Sequence, residues 1–502
     1  MKNRDSKWLV FACVAIAQFM IILDVTIINV ALPVIKVQLH FGNASIGWVV
    51  TAYVLTFGGF LLFGGRAADL FGRRRMLLAG MVAFTVCSFL VAVSPDPALL
   101  VALRGAQGIS AALMSPAALS IVLATFSEGH ERNQALGYWS TVATGGAAAG
   151  LLLGGVLTSY AGWRWNFFIN VPVGLVMSVV IARVVPAHEP AETRTRLDVP
   201  GAALITASLM AAVFYISQSP DWGWADARTL PALAGALALL AWFVANEHRA
   251  RNPIVPLTIF RNRNLSGANA AMAAVYAGNL GMFFLITLYL QLVEHYSPIG
   301  TGIAILPFPV VLGLVAAQMR RLIARHGYRR YLILGPALIA AGMAWACFQP
   351  VHGNYPLHLL PAFLVMPVGY GMSFPSAYAA ATAGVPARQA GLASGLITTA
   401  QQLGGAVGLA VISAVAASYT ASLTRDSGPQ ALTSGYDLAM AVAAGITLLA
   451  SAGAATVTRA RRPALTGNAD FLAAARYIQP AAADRPNLHQ ANVVPPCFGR
   501  RA

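Results

Sequence analysis

Residues 65–75 read Gly65-Arg66-Ala67-Ala68-Asp69-Leu70-Phe71-Gly72-Arg73-Arg74-Arg75, a polar segment within a long apolar sequence. Apolar runs at 46–65 and 76–94 flank it on either side. A helix of roughly 20 apolar residues is long enough to cross the hydrocarbon core of a bilayer. Residues 65–75 are therefore predicted to form a short loop at one membrane face, between two membrane-spanning helices.

The composition of the whole chain supports a membrane location. Of its 502 residues, 58% are hydrophobic and 10% are charged, whereas soluble domains carry about 25% charged residues. The first apolar run follows Lys2, Arg4 and Lys7, as a secretory signal would. However, it continues to about Pro33 and many similar runs follow, so we predict that it is the first membrane helix.

Apolar runs of suitable length recur along the chain and predict an all-α integral membrane protein with fourteen transmembrane helices. The predicted spans are 8–33, 46–65, 76–94, 98–124, 135–158, 165–185, 199–217, 229–246, 265–290, 300–320, 331–348, 357–383, 391–417 and 437–457. They predict an N-terminal six-helix bundle (1–185), two additional helices with linkers (186–264), a C-terminal six-helix bundle (265–457) and a disordered cytoplasmic tail (458–502).

A short sequence repeat supports the prediction that the protein has two related halves. The segment Gly72-Arg73-Arg74-Arg75 recurs as Gly327-Tyr328-Arg329-Arg330, after the tenth predicted helix. Repeated six-helix halves are typical of transporters.

The basic residues indicate the orientation. With both termini in the cytoplasm, all but five of the 33 Lys and Arg residues fall on the inner side, as the positive-inside rule requires. The exceptions are Lys36, Arg164, Arg228 and Arg425 in outer loops and Arg104 within a helix. The net charge of +16 therefore reflects topology and does not indicate nucleic-acid binding.

Sequence motifs for other chemistry are missing. The three lysines, at 2, 7 and 36, do not follow a glycine, which excludes a G-x-x-x-x-G-K-[ST] phosphate loop and ATP-driven transport by this chain. The sequence contains neither H-E-x-x-H nor G-x-S-x-G, and its four cysteines are scattered, so it predicts no metal site and no enzyme. Catalytic dyads without a local motif leave a polytopic membrane enzyme as an alternative.

Asp24 is the only acidic residue that we place well inside a predicted membrane helix. A carboxylate there is costly and usually functional, so Asp24 is the candidate proton carrier. Arg104 enters the fourth helix from the outer side at an overlapping depth, and a nearby guanidinium would hold Asp24 ionised. The alternative is structural: Asp24 hydrogen-bonds in a wet outer vestibule and Arg104 extends outward to water.

The segment at 65–75 matches the pattern G-x-x-x-D-x-x-G-R-[KR] and resembles a loop of the major facilitator superfamily. The matching residues are Gly65, Asp69, Gly72, Arg73 and Arg74. Other segments resemble the fourteen-helix drug/proton antiporter branch of that family, the EmrB- and QacA-like multidrug resistance transporters. These segments are 23–33, 104–108, 163–172, 289–291, 297–298 and 391–405.

The fifth helix resembles the antiporter motif G-x-x-x-G-P-x-x-G-G with one departure. Gly146, Gly150, Gly154 and Gly155 match, but Leu151 stands where the motif has proline. The departure removes a kink-forming ring and keeps a face of small residues through which membrane helices can pack closely.

The resemblance implies roles for particular residues. It implies a major facilitator fold in which the first and fourth helices lie together, so that Asp24 and Arg104 could form a proton-coupling pair. It also implies that residues 65–75 act as a cytoplasmic gate, although arginines that only anchor helix ends would leave the same pattern. Candidate residues of the substrate pathway are Gln107 and Gln291, which lie in matched segments, together with Asn29 and Tyr53.

The expected function is export of drug-like or natural-product small molecules in exchange for protons across a bacterial inner membrane. A facilitator or proton symporter of a specific small metabolite has the same fold and is the alternative. The expected energy source is the proton gradient, with no cofactor and no nucleic-acid partner. The expected partners are the lipid bilayer, protons and a neutral, amphipathic or singly charged substrate; the sequence does not decide whether a periplasmic adaptor binds.

Overall fold

The computed structural model describes residues 2–42, 45–126, 130–186, 198–249, 257–348, 350–351, 353–383, 385, 390–423 and 428–457. Within these ranges the chain forms helices and short connections, with no strand. The predicted tail at 458–502 lies outside the described residues.

The helices follow one another closely along the chain. They are α1 (Lys2–Gln38), α2 (Trp48–Phe71), α3 (Arg73–Ala92), α4 (Pro97–Thr125), α5 (His130–Tyr160), α6 (Trp165–Phe168), α7 (Asn170–Val184), α8 (Val199–Trp222), α9 (Leu230–Arg249), α10 (Arg263–Leu288), α11 (Pro298–Ile305), α12 (Pro307–His326), α13 (Tyr328–Trp345), α14 (Tyr355–His358), α15 (Leu360–Thr382), α16 (Ala390–Ser422) and α17 (Pro429–Val457). A 3₁₀ turn at Leu257–Arg261 precedes α10, and a π-helical turn at Tyr289–Val293 extends it.

Thirteen spans among the described residues are long and apolar enough to cross a membrane. The predicted span at 331–348 corresponds to α13, which falls outside this set because Arg329 and Arg330 occupy its first turn. It nevertheless packs against α15 and α17, among helices that do qualify. The protein is thus an all-α membrane protein with thirteen to fourteen spanning helices, as predicted.

The helices pack in two groups. In the N-terminal part, α1 packs against α5, and α4 packs against α2 and α3. In the C-terminal part, α10 packs against α16 and α17, and α15 packs against α12 and α13. The groups meet where α2 contacts α16 and α5 contacts α11. Of the additional pair α8–α9, α8 contacts both α2 and α16, so it touches both groups.

Glycines allow the closest of these helix contacts. A Cβ atom on Gly64 would lie 2.0 Å from the carbonyl oxygen of Ala112, and one on Gly108 would lie 2.3 Å from that of Tyr53. Such close backbone approach is how membrane helices associate, because apolar side chains gain little by leaving lipid for protein. These contacts bring α2 against α4 and so position the buried charges described below.

Two predicted segments differ in their boundaries from the helices of the structure. The predicted loop at 65–75 is helical except at Gly72, because α2 ends at Phe71 and α3 begins at Arg73. Hydropathy locates the part of a helix that lies in hydrocarbon, but backbone hydrogen bonding continues into the polar region beyond it. The predicted helix at 300–320 is divided at Leu306, where Pro307 begins α12.

Candidate functional site

Asp24 and Arg104 form a buried ion pair between α1 and α4. Asp24 is 0% exposed and Arg104 is 1% exposed. The Nη1 atom of Arg104 lies 2.6 Å from Oδ2 of Asp24. The structure therefore brings together the two residues that the sequence predicted as the proton-coupling pair, and Arg104 does not extend outward to water.

Amide side chains complete the hydrogen bonding of this carboxylate. Gln107 Nε2 donates to Oδ1 of Asp24 at 2.9 Å, and Asn170 Nδ2 reaches the same oxygen at 3.3 Å. Gln107 also accepts from Arg104 at 2.8 Å, and its Nε2 lies 2.8 Å from the hydroxyl of Ser88. Four helices, α1, α3, α4 and α7, thus contribute to one buried polar network.

The guanidinium of Arg104 also contacts the backbone of α2 and two aromatic rings. Its Nε donates to the carbonyl oxygen of Val49 at 3.0 Å. Its central carbon lies 4.4 Å from the ring centre of Tyr53 and 5.6 Å from that of Phe167. A cation over an aromatic face is attracted by the ring quadrupole. Arg104 is therefore positioned from several directions and not by Asp24 alone.

The electrostatics of this network depend on both charges being present. Removing two ions from water is costly, and their attraction offsets the cost only when geometry and further hydrogen bonds are favourable. Removing one partner would leave the other charge buried and uncompensated. Replacing Asp24 by a neutral residue would therefore leave Arg104 buried without its counter-ion.

Tyr53 also lies beside this ion pair. Its side chain is fully buried, and among the described residues its hydroxyl has no hydrogen-bond partner. A buried hydroxyl without a partner is costly, which makes it a candidate contact for a substrate or water. Tyr53 was predicted to line the substrate pathway, and the structure places it at the ion pair.

The other predicted pathway residues lie apart from one another. Gln107 is fully buried within the Asp24 network. Asn29 is buried, and its amide donates to the carbonyl of Val25 in its own helix. Gln291 lies in the π turn after α10, and its Nε2 donates to the carbonyl of Val30 at 2.8 Å. Gln291 therefore joins the two groups of helices at the end predicted to face outward.

The glycines of the fifth-helix motif lie at close helix contacts. A Cβ atom on Gly150 would meet Oγ1 of Thr26 at 1.9 Å, and one on Gly154 would meet the carbonyl of Ile27 at 2.7 Å, both in α1. A Cβ atom on Gly146 would lie 3.3 Å from side-chain atoms of α1. Gly155 faces α11 instead, where its Cβ would lie 2.7 Å from Cα of Ile299. The motif thus allows α5 to pack closely against α1 and α11 without the proline.

The predicted gating segment caps neighbouring helices. Gly65 lies within α2, and a Cβ atom on it would lie 3.7 Å from Pro116. Asp69 and Arg73 form an ion pair at 4.0 Å. Arg73 also donates to the carbonyl of Ser120 in α4 at 3.3 Å, and Arg74 donates to that of Ala182 in α7. Cations near helix C-termini interact favourably with the helix dipole.

The same arrangement recurs in the C-terminal part. Gly72 has a φ of 95° and Gly327 a φ of 78°, conformations that glycine adopts without steric cost. Two residues after each glycine stands an arginine, Arg74 or Arg329. Arg74 donates to a carbonyl near the end of α7, and Arg329 donates to one near the end of α17 at 2.7 Å. The short sequence repeat thus corresponds to equivalent structural contacts in the two groups of helices.

Comparison with known proteins decides the family. The family model described as Major Facilitator Superfamily matches residues 14–409. The chain belongs to the major facilitator superfamily. It is 36% identical over 453 residues to the puromycin resistance protein pur8 of Streptomyces alboniger, covering 88% of this chain and 90% of the relative. It is 38% identical over 416 residues to the cephamycin export protein CmcT of Amycolatopsis lactamdurans, covering 82% and 85%.

Solved structures show the same fold. The POT family transporter PepTSo aligns with a TM-score of 0.67 at 16% identity, over 90% of this chain and 97% of that one. This major facilitator protein is therefore a multi-pass membrane transporter and not an enzyme.

Sequence reasoning missed part of the site. Asn170 lies in a segment that resembles the antiporter branch, but it was not assigned to the Asp24 network. Ser88 and the carbonyl of Val49 carried no signal, because a single serine or a backbone group in an apolar helix is ordinary.

Proposed function

We propose that this transporter exports drug-like or natural-product small molecules across a bacterial inner membrane in exchange for protons. Two relatives are named for puromycin resistance and for cephamycin export, which supports efflux of natural products. Those names do not state an energy source. Coupling to protons is inferred from the chemistry of the buried acid.

The observation that carries the proposal is the fully buried carboxylate of Asp24. It is held by Arg104 and Gln107 from α4 and by Asn170 from α7. Because each partner lies on a different helix from Asp24, a shift of α1 would separate the charges and allow the carboxylate to take up a proton. An ionisable residue within membrane helices marks a proton or substrate pathway in many transporters.

The charge of the network favours a particular class of substrate. Asp24 and Arg104 compensate each other, so the network presents no excess negative charge to attract a multiply charged cation. Neutral, amphipathic or singly charged compounds therefore suit it best.

The transport cycle begins from the conformation seen here. With both termini in the cytoplasm, the groups of helices touch at their outer ends, where Gln291 donates to Val30 and the N–H of Ile299 lies 3.3 Å from Oγ of Ser159. We take this as a state closed to the outside. Rocking of the halves releases substrate outside, and a proton bound at Asp24 resets the carrier.

The test uses everted membrane vesicles with an acidified lumen, in which the outer surface is the cytoplasmic face. Puromycin and a panel of amphipathic dyes are added outside, and a pH-sensitive fluorophore reports loss of the gradient. The variants are Asp24→Asn and the matched control Asp96→Asn. Asp96 is an exposed residue that caps α4 by accepting from the N–H of Leu99, a role that asparagine can also fill.

The proposal predicts that added compounds dissipate the pH gradient with the wild type and with Asp96→Asn. They should not dissipate it with Asp24→Asn, because antiport is proposed to use that carboxylate. Equal dissipation with Asp24→Asn would remove that residue from coupling. If no compound dissipates the gradient with the wild type, facilitated diffusion or symport of a specific metabolite becomes the better account.

A further inference from the structure

A small cleft lies beside the end of α10 that is predicted to face outward. We call it the outer cleft and define it by the lining residues Tyr289, Glu294, Tyr296, Asn354, Tyr355 and His358. The space between the atoms that line it is about 190 Å³, part of which is open to solvent. Pockets for drug-sized ligands have volumes of roughly 300–1,000 Å³. The outer cleft therefore has room for a polar head group and not for a whole drug.

Glu294 contributes a carboxylate to the outer cleft. Its Oε1 accepts from the N–H of Gly353 at 2.7 Å, an interaction that favours the charged form of a carboxylate. Within the part of the chain that the structure describes, Oε2 accepts no hydrogen bond and Glu294 has no cationic partner. The side chain is half-buried, so a ligand from the outer side can reach it.

The charges around this carboxylate favour a cationic ligand. None of the described residues that line the outer cleft is Lys or Arg. A second carboxylate, Asp437 of α17, is close enough for its charge to act on the hydroxyl of Tyr289. His358 contacts the backbone of Asn354 through Nδ1. The cleft is thus locally negative in a protein whose net charge is +16.

The tyrosines of the outer cleft indicate what kind of cation fits. Tyr289, Tyr296 and Tyr355 all line it. Two of them are fixed through their hydroxyls, because Tyr289 lies 2.7 Å from the carbonyl oxygen of Pro350 and Tyr355 donates to the carbonyl of Ala304. Aromatic rings attract ammonium groups over their faces. Calcium and magnesium ions instead require about six or more oxygen ligands, which one carboxylate does not supply.

Exposed apolar side chains lie close to the outer cleft along the chain. Leu357 stands in α14 between the lining residues Tyr355 and His358, and more than half of its surface is exposed. Phe348, shortly after the end of α13, is also mostly exposed. A ligand with an apolar part would therefore find a surface for that part near the site of its head group.

We propose that the outer cleft binds the ammonium head group of an amphipathic amine. Glu294 supplies the opposite charge, the tyrosines supply aromatic contacts, and Phe348 and Leu357 contact the apolar part of the ligand. The same head-group chemistry occurs in free organic amines and in membrane lipids that carry an amine. The site goes beyond the proposed export and does not depend on exchange with protons.

The experiment measures binding of choline to the full-length, delipidated protein in an uncharged maltoside detergent. Saturation-transfer difference NMR detects the choline protons that receive magnetisation from the protein. The comparison ligand is the neutral carbon isostere of choline, an alcohol in which a tert-butyl group replaces the trimethylammonium group. The two ligands have the same shape and differ in charge. The pH is about 8, above the usual titration range of histidine.

The variants separate the charge of the site from its shape. Glu294→Gln removes the negative charge and keeps an oxygen that can accept from the N–H of Gly353. Tyr296→Leu removes one aromatic ring. The matched control is Asp226→Asn, which removes a carboxylate on the same predicted side of the membrane, where it pairs with Arg228. Thermal unfolding of each variant, followed by tryptophan fluorescence, shows that it is folded.

We expect choline to bind the wild type and Asp226→Asn equally, and more tightly than its neutral isostere binds them. Glu294→Gln and Tyr296→Leu should each weaken choline binding by about two- to fivefold, as expected for one ion pair or one cation–π contact at a partly exposed site. The affinity for the neutral isostere should change less in both variants.

Equal affinity of the wild type for choline and for its isostere would overturn the proposal, and so would a Glu294→Gln protein that binds choline as the wild type does. Added phosphatidylethanolamine and phosphatidylglycerol then identify the source of the head group. Competition with choline by the former alone indicates a lipid, and competition by neither indicates a free amine. Failure of antiport is separable, because it appears as the lack of a vesicle response while choline binding is preserved.

Discussion

Replacing Asp24 by asparagine leaves the guanidinium of Arg104 buried without a counter-ion, while replacing Arg104 by glutamine leaves the carboxylate in the same position. Breaking a buried ion pair by removing one partner typically costs about 3–5 kcal/mol. The double replacement removes both charges and leaves neutral amides that can hydrogen-bond with Gln107 and Asn170. Its cost should be about 1–3 kcal/mol, the range for imperfectly satisfied neutral polar groups. The two changes should therefore be strongly non-additive.

A double-mutant cycle measures this coupling directly. The wild type, Asp24→Asn, Arg104→Gln and the double variant are purified in the same detergent, and their thermal unfolding is followed by tryptophan fluorescence. Domains of 150–250 residues lose about 2–4 °C per kcal/mol, and larger proteins lose less. Each single variant should therefore lose on the order of 5–10 °C in Tm, and the double variant should lose less than either.

The matched control for this cycle is Asp96→Asn, which changes an exposed carboxylate at a helix start and should leave Tm nearly unchanged. If the double variant loses the sum of the two single losses, Asp24 and Arg104 do not compensate each other and the interpretation of the network is wrong.

Three further outcomes follow from other contacts. Gly150→Ala should lower Tm and transport, because the new Cβ would lie 1.9 Å from a side-chain oxygen of α1, at a typical cost of about 1–3 kcal/mol. The control Gly145→Ala has open space around it and should be neutral or slightly stabilising. Equal losses of Tm in the two variants would contradict the close contact between α1 and α5. Arg74→Gln should reduce transport more than Arg75→Gln, because Arg74 caps α7 whereas Arg75 is exposed; matching rates would leave the segment with only a topological role. Gln291→Leu should increase the population with widely separated outer ends, measured by pulsed electron paramagnetic resonance between spin labels at the exposed positions Val37→Cys and Phe348→Cys. An unchanged distance distribution would show that the hydrogen bond of Gln291 does not hold the outer ends together.

The fold was predictable because the bilayer restricts the choice of structure. Length and apolarity locate the spans, and backbone hydrogen bonding inside hydrocarbon requires helices. The extension of α2 to Phe71 was not predictable in the same way, since the polar end of that helix has no hydropathy signal. The contact of α8 with both groups of helices could not be predicted either, because apolar residues that face lipid and those that face protein look alike in a sequence.

The site was predictable where a residue was rare in its surroundings. Asp24 and Arg104 are charges in apolar helices, so composition alone indicated both, and the family resemblance placed their helices together. Ser88 and the carbonyl of Val49 could not be found in that way. The contact between Gln291 and Val30 could not be found either, because its two residues come from distant segments of the chain.

The most direct measurement of the central claim is the affinity of puromycin for the purified protein in nanodiscs as a function of pH. If a proton at Asp24 and a substrate compete for the carrier, wild-type affinity should increase with pH by up to about tenfold per unit, the limit for one linked proton. Asp24→Asn should bind with an affinity that changes far less. Parallel pH dependence in the wild type and Asp24→Asn would contradict the claim that Asp24 carries the coupled proton.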